Sequence, residues 1–126
     1  MKKRNPFSDK VLDDLVRLYV RLSSGGYCKR CKKYYGDVIA VAHLYRRRKK
    51  TVRWDLRNVH GLCPSCHMEI DNDQIKLVSF MYDIMASEEI ASLQEVANKT
   101  LKQYPIDREA IKADLKERIK LLEKGE

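Results

Sequence analysis

The sequence predicts a small α+β fold, in which a strand–loop–strand–helix core lies between helices at both ends. Its four cysteines form two C-x2-C pairs, Cys28/Cys31 and Cys63/Cys66. Short β-branched apolar runs lie between the pairs, and apolar residues recur at three- and four-residue steps outside them. With 126 residues, 44% of them apolar, the chain forms one small domain whose core a bound metal would help to stabilise.

The N-terminal segment, residues 1–26, is predicted to be a helix after a basic start at Lys2-Lys3-Arg4. Ser8 can cap a helix that begins near Asp9, whose carboxylate suits the first turn. Gly25-Gly26 ends the helix. Its apolar face carries Leu12, Leu15, Tyr19 and Leu22.

The middle segment, residues 27–73, carries the cysteine pairs and the predicted sheet. Residues 37–44 are β-branched and apolar, which favours a strand, and residues 59–62 predict a second one. The basic stretch 45–53 is predicted to be a loop. Residues 64–72 predict a helix, because proline suits a first turn.

The C-terminal segment, residues 74–126, is predicted to be helical. Ser87 begins one helix, Pro105 interrupts the pattern, and Asp107 can cap the last helix. The apolar stripes predict burial in the core, with a homodimer seam through these helices as the alternative. They comprise Leu77, Phe80, Met81, Ile84 and Met85, then Ile90, Leu93 and Ala97, then Ile111, Leu115, Ile119 and Leu122.

The two cysteine pairs predict one structural zinc site. Each pair has knuckle spacing, and four thiolates can hold a tetrahedral Zn2+. His60 or His67 could replace one thiolate. No signal peptide or long apolar run occurs, so we expect a soluble cytoplasmic protein with no membrane partner. In that compartment paired cysteines favour a metal over disulfides, which remain the alternative.

The net charge of +8 and pI near 9.4 predict a polyanionic partner, with DNA the leading one. Half of the acids lie in the C-terminal third, so the positive charge concentrates between the cysteine pairs. Trp54 is predicted to lie in the core, with stacking on an unpaired base as the alternative. The candidate DNA-binding residues are Arg46, Arg47, Arg48, Lys49, Lys50, Arg53 and Arg57.

Three further residues could carry chemistry. His43 ends the first strand and is either a core histidine, a neighbour of the zinc, or a general base. His67 and Asp71 lie four residues apart and share one helical face. An imidazole and a carboxylate at that spacing suit a divalent ion such as Mg2+ or Mn2+.

The order of these residues resembles the HNH (ββα-metal) nucleases built on four-cysteine zinc. Fourteen residues separate His43 from Asn58 and eight separate Asn58 from His67, within the segments AHLY and RNVHGLCPSCH. The resemblance implies that His43 is the general base and that Asn58 orients it by holding the loop. It further implies that His67 and Asp71 bind the catalytic Mg2+ or Mn2+, and it covers residues 27–72.

One position departs from the pattern. Many HNH nucleases place a metal-binding acid or histidine just before the general base, where this chain has Ala42. Either the ion is held by His67, Asp71, water and substrate phosphate, or His43 has another role.

A narrower resemblance covers more of the chain. The GHY-like strand end, the R-N-V-H turn and the helical C-terminal region with a Y-P-I-D break are similar to phage recombination proteins of the NinG/Rap type. That family implies endonuclease action on branched DNA such as Holliday junctions, in the host cytoplasm. A non-catalytic zinc-ribbon DNA-binding protein is the alternative, and an RNA-binding zinc protein is a weaker one.

Overall fold

A computed structural model describes residues 5–125 and confirms a small α+β fold. The predicted basic start at Lys2-Lys3-Arg4 lies outside the described residues. A 3-10 turn at Gly36–Val38 precedes the first strand. The elements are α1 (Asp9–Ser24), β1 (Ala40–His43), β2 (Val59–Leu62), α2 (Pro64–Asn72), α3 (Gln74–Ile84), α4 (Ser87–Ala97) and α5 (Arg108–Glu123).

Local side-chain chemistry sets the helix ends where the sequence predicted them. The Ser8 hydroxyl accepts from the backbone at the start of α1, and Gly25 ends that helix in the left-handed conformation. Cys63 caps α2, whose first residue is Pro64, and Asp107 caps α5. Within residues 5–125 no helix is long and apolar enough to cross a membrane.

The two strands form an antiparallel pair in which Ala42 lies opposite His60 and His43 opposite Val59. The predicted first strand, residues 37–44, is longer than the observed one. The observed strand begins later than predicted because Gly36 has a φ of 59°. The carbonyl of Gly36 accepts from the amide of Ile39, which closes a tight turn.

The sheet separates two parts of the core, because successive strand residues point to opposite faces. On one face Ala42 is buried among the cysteines, α2, α3 and α4. On the other face Val41 packs against α1, α5 and Trp54. Trp54 is 4% exposed, which confirms the core prediction and excludes base stacking.

Most residues of the predicted helical stripes are buried or half-buried within the chain itself. Phe80 and Met81 of α3 are buried beneath the cysteines, and Leu115 of α5 is buried against α1. Leu122, at the end of the α5 stripe, is exposed. The homodimer through these helices stays a prediction.

A cysteine cluster and an adjoining basic cleft

The four cysteine sulfurs converge on one point. Their Sγ atoms all lie within 4.8 Å of one another, and all four thiols are free. A Zn–S distance of about 2.3 Å gives S···S edges of about 3.8 Å in a tetrahedron, so a zinc ion fits with small movements. His60 is not a ligand here: its Nε2 lies 2.8 Å from the carbonyl oxygen of Arg57 and its ring packs on Phe80. The ligands of the predicted site are thus Cys28, Cys31, Cys63 and Cys66.

Backbone amides prepare both pairs to bind a cation. The amide of Cys31 donates to the Sγ of Cys28 at 3.5 Å, and the amide of Cys66 donates to the Sγ of Cys63 at 3.4 Å. Such bonds favour the thiolate over the thiol. The second pair is held at the start of α2, where the helix dipole also favours negative charge.

The four thiols differ in their surroundings. A backbone hydrogen bond from Lys33 contributes most to lowering the pKa of Cys31 to about 6, whereas burial raises the pKa of Cys66 to about 12. The guanidinium of Arg30 lies beside Cys66 and donates to Glu69 at 2.8 Å. A zinc with four thiolates carries two net negative charges, which this cation would partly offset.

Beside the cluster, a cleft of about 260 Å³ opens between the end of β1, the basic loop and α2. The predicted base His43 and the predicted ligand Asp71 both line it. Arg46, Arg48 and Lys49 line it as well. The cleft therefore presents an imidazole, a carboxylate and three cations to one volume, which is complementary to a phosphate group.

The imidazole of His43 is oriented by the backbone. Its Nε2 lies 3.1 Å from the carbonyl oxygen of Arg53, which can only accept, so Nε2 carries the proton and Nδ1 carries the lone pair. Burial lowers the pKa of His43 below its usual value, and the charge of Arg47 lowers it further. At neutral pH the ring is neutral and can accept a proton through Nδ1.

Asn58 joins the basic loop to the sheet. Its side chain is fully buried. The carbonyl oxygen accepts from the amide of Tyr45 at 2.7 Å, and Nδ2 donates to the carbonyls of Tyr45 at 3.1 Å and Val52 at 3.0 Å. One side chain thus ties both ends of the loop that carries the cleft cations. That these bonds orient His43, as the HNH resemblance implies, stays a prediction.

His67 and Asp71 form a pair on α2. The Nε2 of His67 lies 3.3 Å from a carboxylate oxygen of Asp71, and both side chains are partly exposed. Among residues 5–125 the four cysteines are the only group of three or more His, Cys, Asp or Glu side chains close enough together to hold a metal ion. A divalent ion on the pair would therefore need water or substrate oxygens to complete its shell. Ala42 is wholly buried and supplies no ligand.

The structure divides the candidate DNA-binding cations into two sets. Arg53 is 12% exposed and pairs with Asp13 at 2.6 Å, and Arg57 pairs with Asp55 at 2.7 Å, so both serve the fold. Arg47 also reaches Asp13, at 2.6 Å, and Lys50 lies 3.1 Å from Asp9. In the described part of the chain Arg46, Arg48 and Lys49 form no ion pair.

Asp13 is the residue of this region that the sequence analysis missed. It accepts from Arg47, Arg53 and the indole of Trp54, which anchors the basic loop on α1. Burial alone would raise the pKa of Asp13, but these donors outweigh burial and lower the pKa to about 2. Asp9 and Asp13 are four residues apart, and that spacing indicates one acidic helix face.

Comparison of the chain with models of protein families, with curated proteins and with solved structures gives no match. The support for metal binding therefore comes from the cysteine cluster of this chain alone. The roles of His43, Asn58, His67 and Asp71 stay predictions.

Proposed function

We propose that the protein is a metal-dependent DNA endonuclease of the HNH type, stapled by a structural zinc. The observation that carries the proposal is the shared cleft, in which His43 and Asp71 meet unpaired cations of the basic loop. The supporting topology is strand–loop–strand–helix, with the proposed base His43 at the end of β1 and the proposed ligands His67 and Asp71 on α2. Of these two ligands Asp71 lines the cleft and His67 does not.

His43 acts as the general base in this proposal. Its Nδ1 takes a proton from a water molecule, whose oxygen forms a bond to phosphorus while the bond to the 3′ oxygen breaks. The departing 3′ oxygen takes a proton from solvent. Arg46, Arg48 and Lys49 stabilise the charge that develops on the phosphate oxygens.

His67 and Asp71 would hold the divalent ion, Mg2+ or Mn2+. Nitrogen and carboxylate ligands suit these ions better than thiolates do. When bound, the ion would supply positive charge that offsets the charge developing on the leaving oxygen. The cysteine site would hold Zn2+ and keep α2 beside β1, which maintains the cleft.

Branched DNA is the proposed substrate class. The cleft cations recognise phosphate, which every DNA sequence presents equally, so the site carries no base-specific readout of its own. The preference for Holliday junctions and other recombination intermediates rests on the NinG/Rap resemblance.

The test is cleavage of a four-way junction and of a matched linear duplex across several divalent ions. We expect junction cleavage with Mg2+ or Mn2+ and a loss of about 10^2- to 10^4-fold in rate for His43→Ala, with junction binding retained. Because burial lowers the pKa of His43, the wild-type rate should fall only below about pH 6.5. Full activity of His43→Ala would overturn the proposed base.

A second candidate is a zinc-ribbon DNA-binding protein without catalysis. The burial of Ala42 favours it, because the usual ligand position cannot contribute to a metal site. Junction binding without cleavage under every ion tested would support this candidate instead.

A further inference from the structure

Two exposed tyrosines lie at the two ends of the first knuckle, residues 27–34, which contains Cys28 and Cys31. Neither tyrosine lines the cleft. Tyr27 and Tyr34 face each other across an antiparallel bridge, with ring centroids 5.2 Å apart and planes at 67°. Their exposed fractions are 55% and 66%. Large aromatic rings usually bury themselves, so an exposed pair on a rigid knuckle is available for contact with another molecule.

The backbone beneath Tyr34 sets the position of its ring. A Cβ added to Gly26 would lie 2.8 Å from the Cε1 of Tyr34, and one added to Gly36 would lie 3.4 Å from its hydroxyl. The ring therefore rests on two glycines, and most of its surface remains open. A ring held in this way loses little conformational entropy when a flat group stacks on it.

Three lysines lie between the two tyrosines in the chain. Lys29, Lys32 and Lys33 are exposed, and none of them forms an ion pair within residues 5–125. Lys29 and Lys32 line a groove of about 430 Å³ together with Tyr27 and hydroxyl groups of α1. Of the described residues, those lining the groove include no carboxylate. Tyr34 and Lys33 lie outside the groove lining, and the ring of Tyr34 packs against that of Tyr27. Open cations beside an open aromatic pair are complementary to a strand of unpaired nucleotides.

Lys32 adds a separate observation. Its φ is 68°, and it is the one residue other than glycine with a positive φ in the described chain. Glycine adopts this conformation without cost, whereas lysine is strained in it. A glycine at this position would therefore remove both the strain and the side-chain charge.

We propose that the first knuckle is a binding surface for an unpaired DNA strand. A base stacks on Tyr34, and Lys29, Lys32 and Lys33 hold the neighbouring phosphates. None of these residues lines the catalytic cleft. The proposal goes beyond nuclease activity and does not require the cleft to be active.

The experiment measures binding of labelled oligothymidylate and of a duplex by fluorescence anisotropy, on the zinc-loaded protein without added Mg2+ or Mn2+. We expect Tyr34→Leu to weaken oligothymidylate binding by about 5- to 150-fold, while Tyr34→Phe retains it. Tyr82→Leu, a control at a similarly exposed tyrosine on α3, should leave it unchanged.

Substitution of Lys32 separates a role in binding from a role in the fold. Lys32→Gly relieves the strained φ while increasing the entropy of the unfolded chain, so the thermal midpoint should be retained, and yet binding and its salt dependence should weaken as much as in Lys32→Ala. The proposal is overturned if Lys32→Gly binds like the wild type, or if Tyr34→Leu and Tyr82→Leu weaken binding equally. The proposal would also be overturned if Tyr34→Leu weakened duplex binding as much as oligothymidylate binding. Binding of an acidic polypeptide as tight as that of oligothymidylate would overturn it as well.

Discussion

Removal of the Asn58 side chain should destabilise the protein more than any surface substitution. Asn58→Ala breaks three hydrogen bonds to the backbone and leaves the part-buried amide of Tyr45 without its side-chain partner. The carbonyl of Val52 keeps a second donor, the amide of Asp55 at 3.1 Å, so the penalty there is smaller. At about 1 kcal/mol for each bond, with the larger penalty for a buried unsatisfied group, the free energy of unfolding should fall by about 3 kcal/mol.

The assay is urea unfolding of the zinc-loaded protein, followed by circular dichroism and by the fluorescence of Trp54. Asn72→Ala is the matched control, because its side chain makes one exposed bond to the carbonyl of Met68. That variant should change the unfolding free energy by less than about 0.5 kcal/mol. If Asn58→Ala is no more destabilised than Asn72→Ala, then Asn58 does not tie the basic loop to the sheet.

Three further outcomes follow from the same interactions. Cys66→Ser should release zinc and unfold the middle segment, because metal binding is part of its folding free energy; unchanged circular dichroism in metal-free protein would contradict this. Asp13→Asn should destabilise the protein fully above about pH 4, and the difference should shrink below that and be lost as the pH falls through about 2, because the folded-state pKa is lowered to about 2; chemical unfolding across this range measures it. Arg46→Ala with Arg48→Ala should flatten the salt dependence of duplex binding by about 0.9 for each phosphate that is no longer neutralised, whereas Arg118→Ala on α5 should not.

The helix ends and the metal ligands were predictable because short-range chemistry determines them. Ser8 and Asp107 cap their helices through bonds to amides three residues along the chain, which sequence spacing alone indicates. The cysteines converge because thiolates at knuckle spacing have few other arrangements in a small domain.

The interactions that the sequence did not reveal join distant parts of the chain. Arg53 resembles its basic neighbours, and only its placement against Asp13, forty residues away, makes it a structural cation. The packing of the Tyr34 ring over Gly26 and Gly36 likewise depends on the turn geometry of the knuckle. Periodicity carries no information about such pairings, because it reports only which face of an element is apolar.

The most direct test of the proposed cleft is metal rescue of junction cleavage in two single variants. His67→Ala removes a proposed metal ligand and should regain part of its activity as the Mn2+ concentration rises. His43→Ala removes the proposed base and should stay inactive at every metal concentration, since metal occupancy does not replace a proton acceptor. Rescue of His43→Ala by Mn2+, with His67→Ala inactive throughout, would contradict the assignment and make His43 the metal ligand.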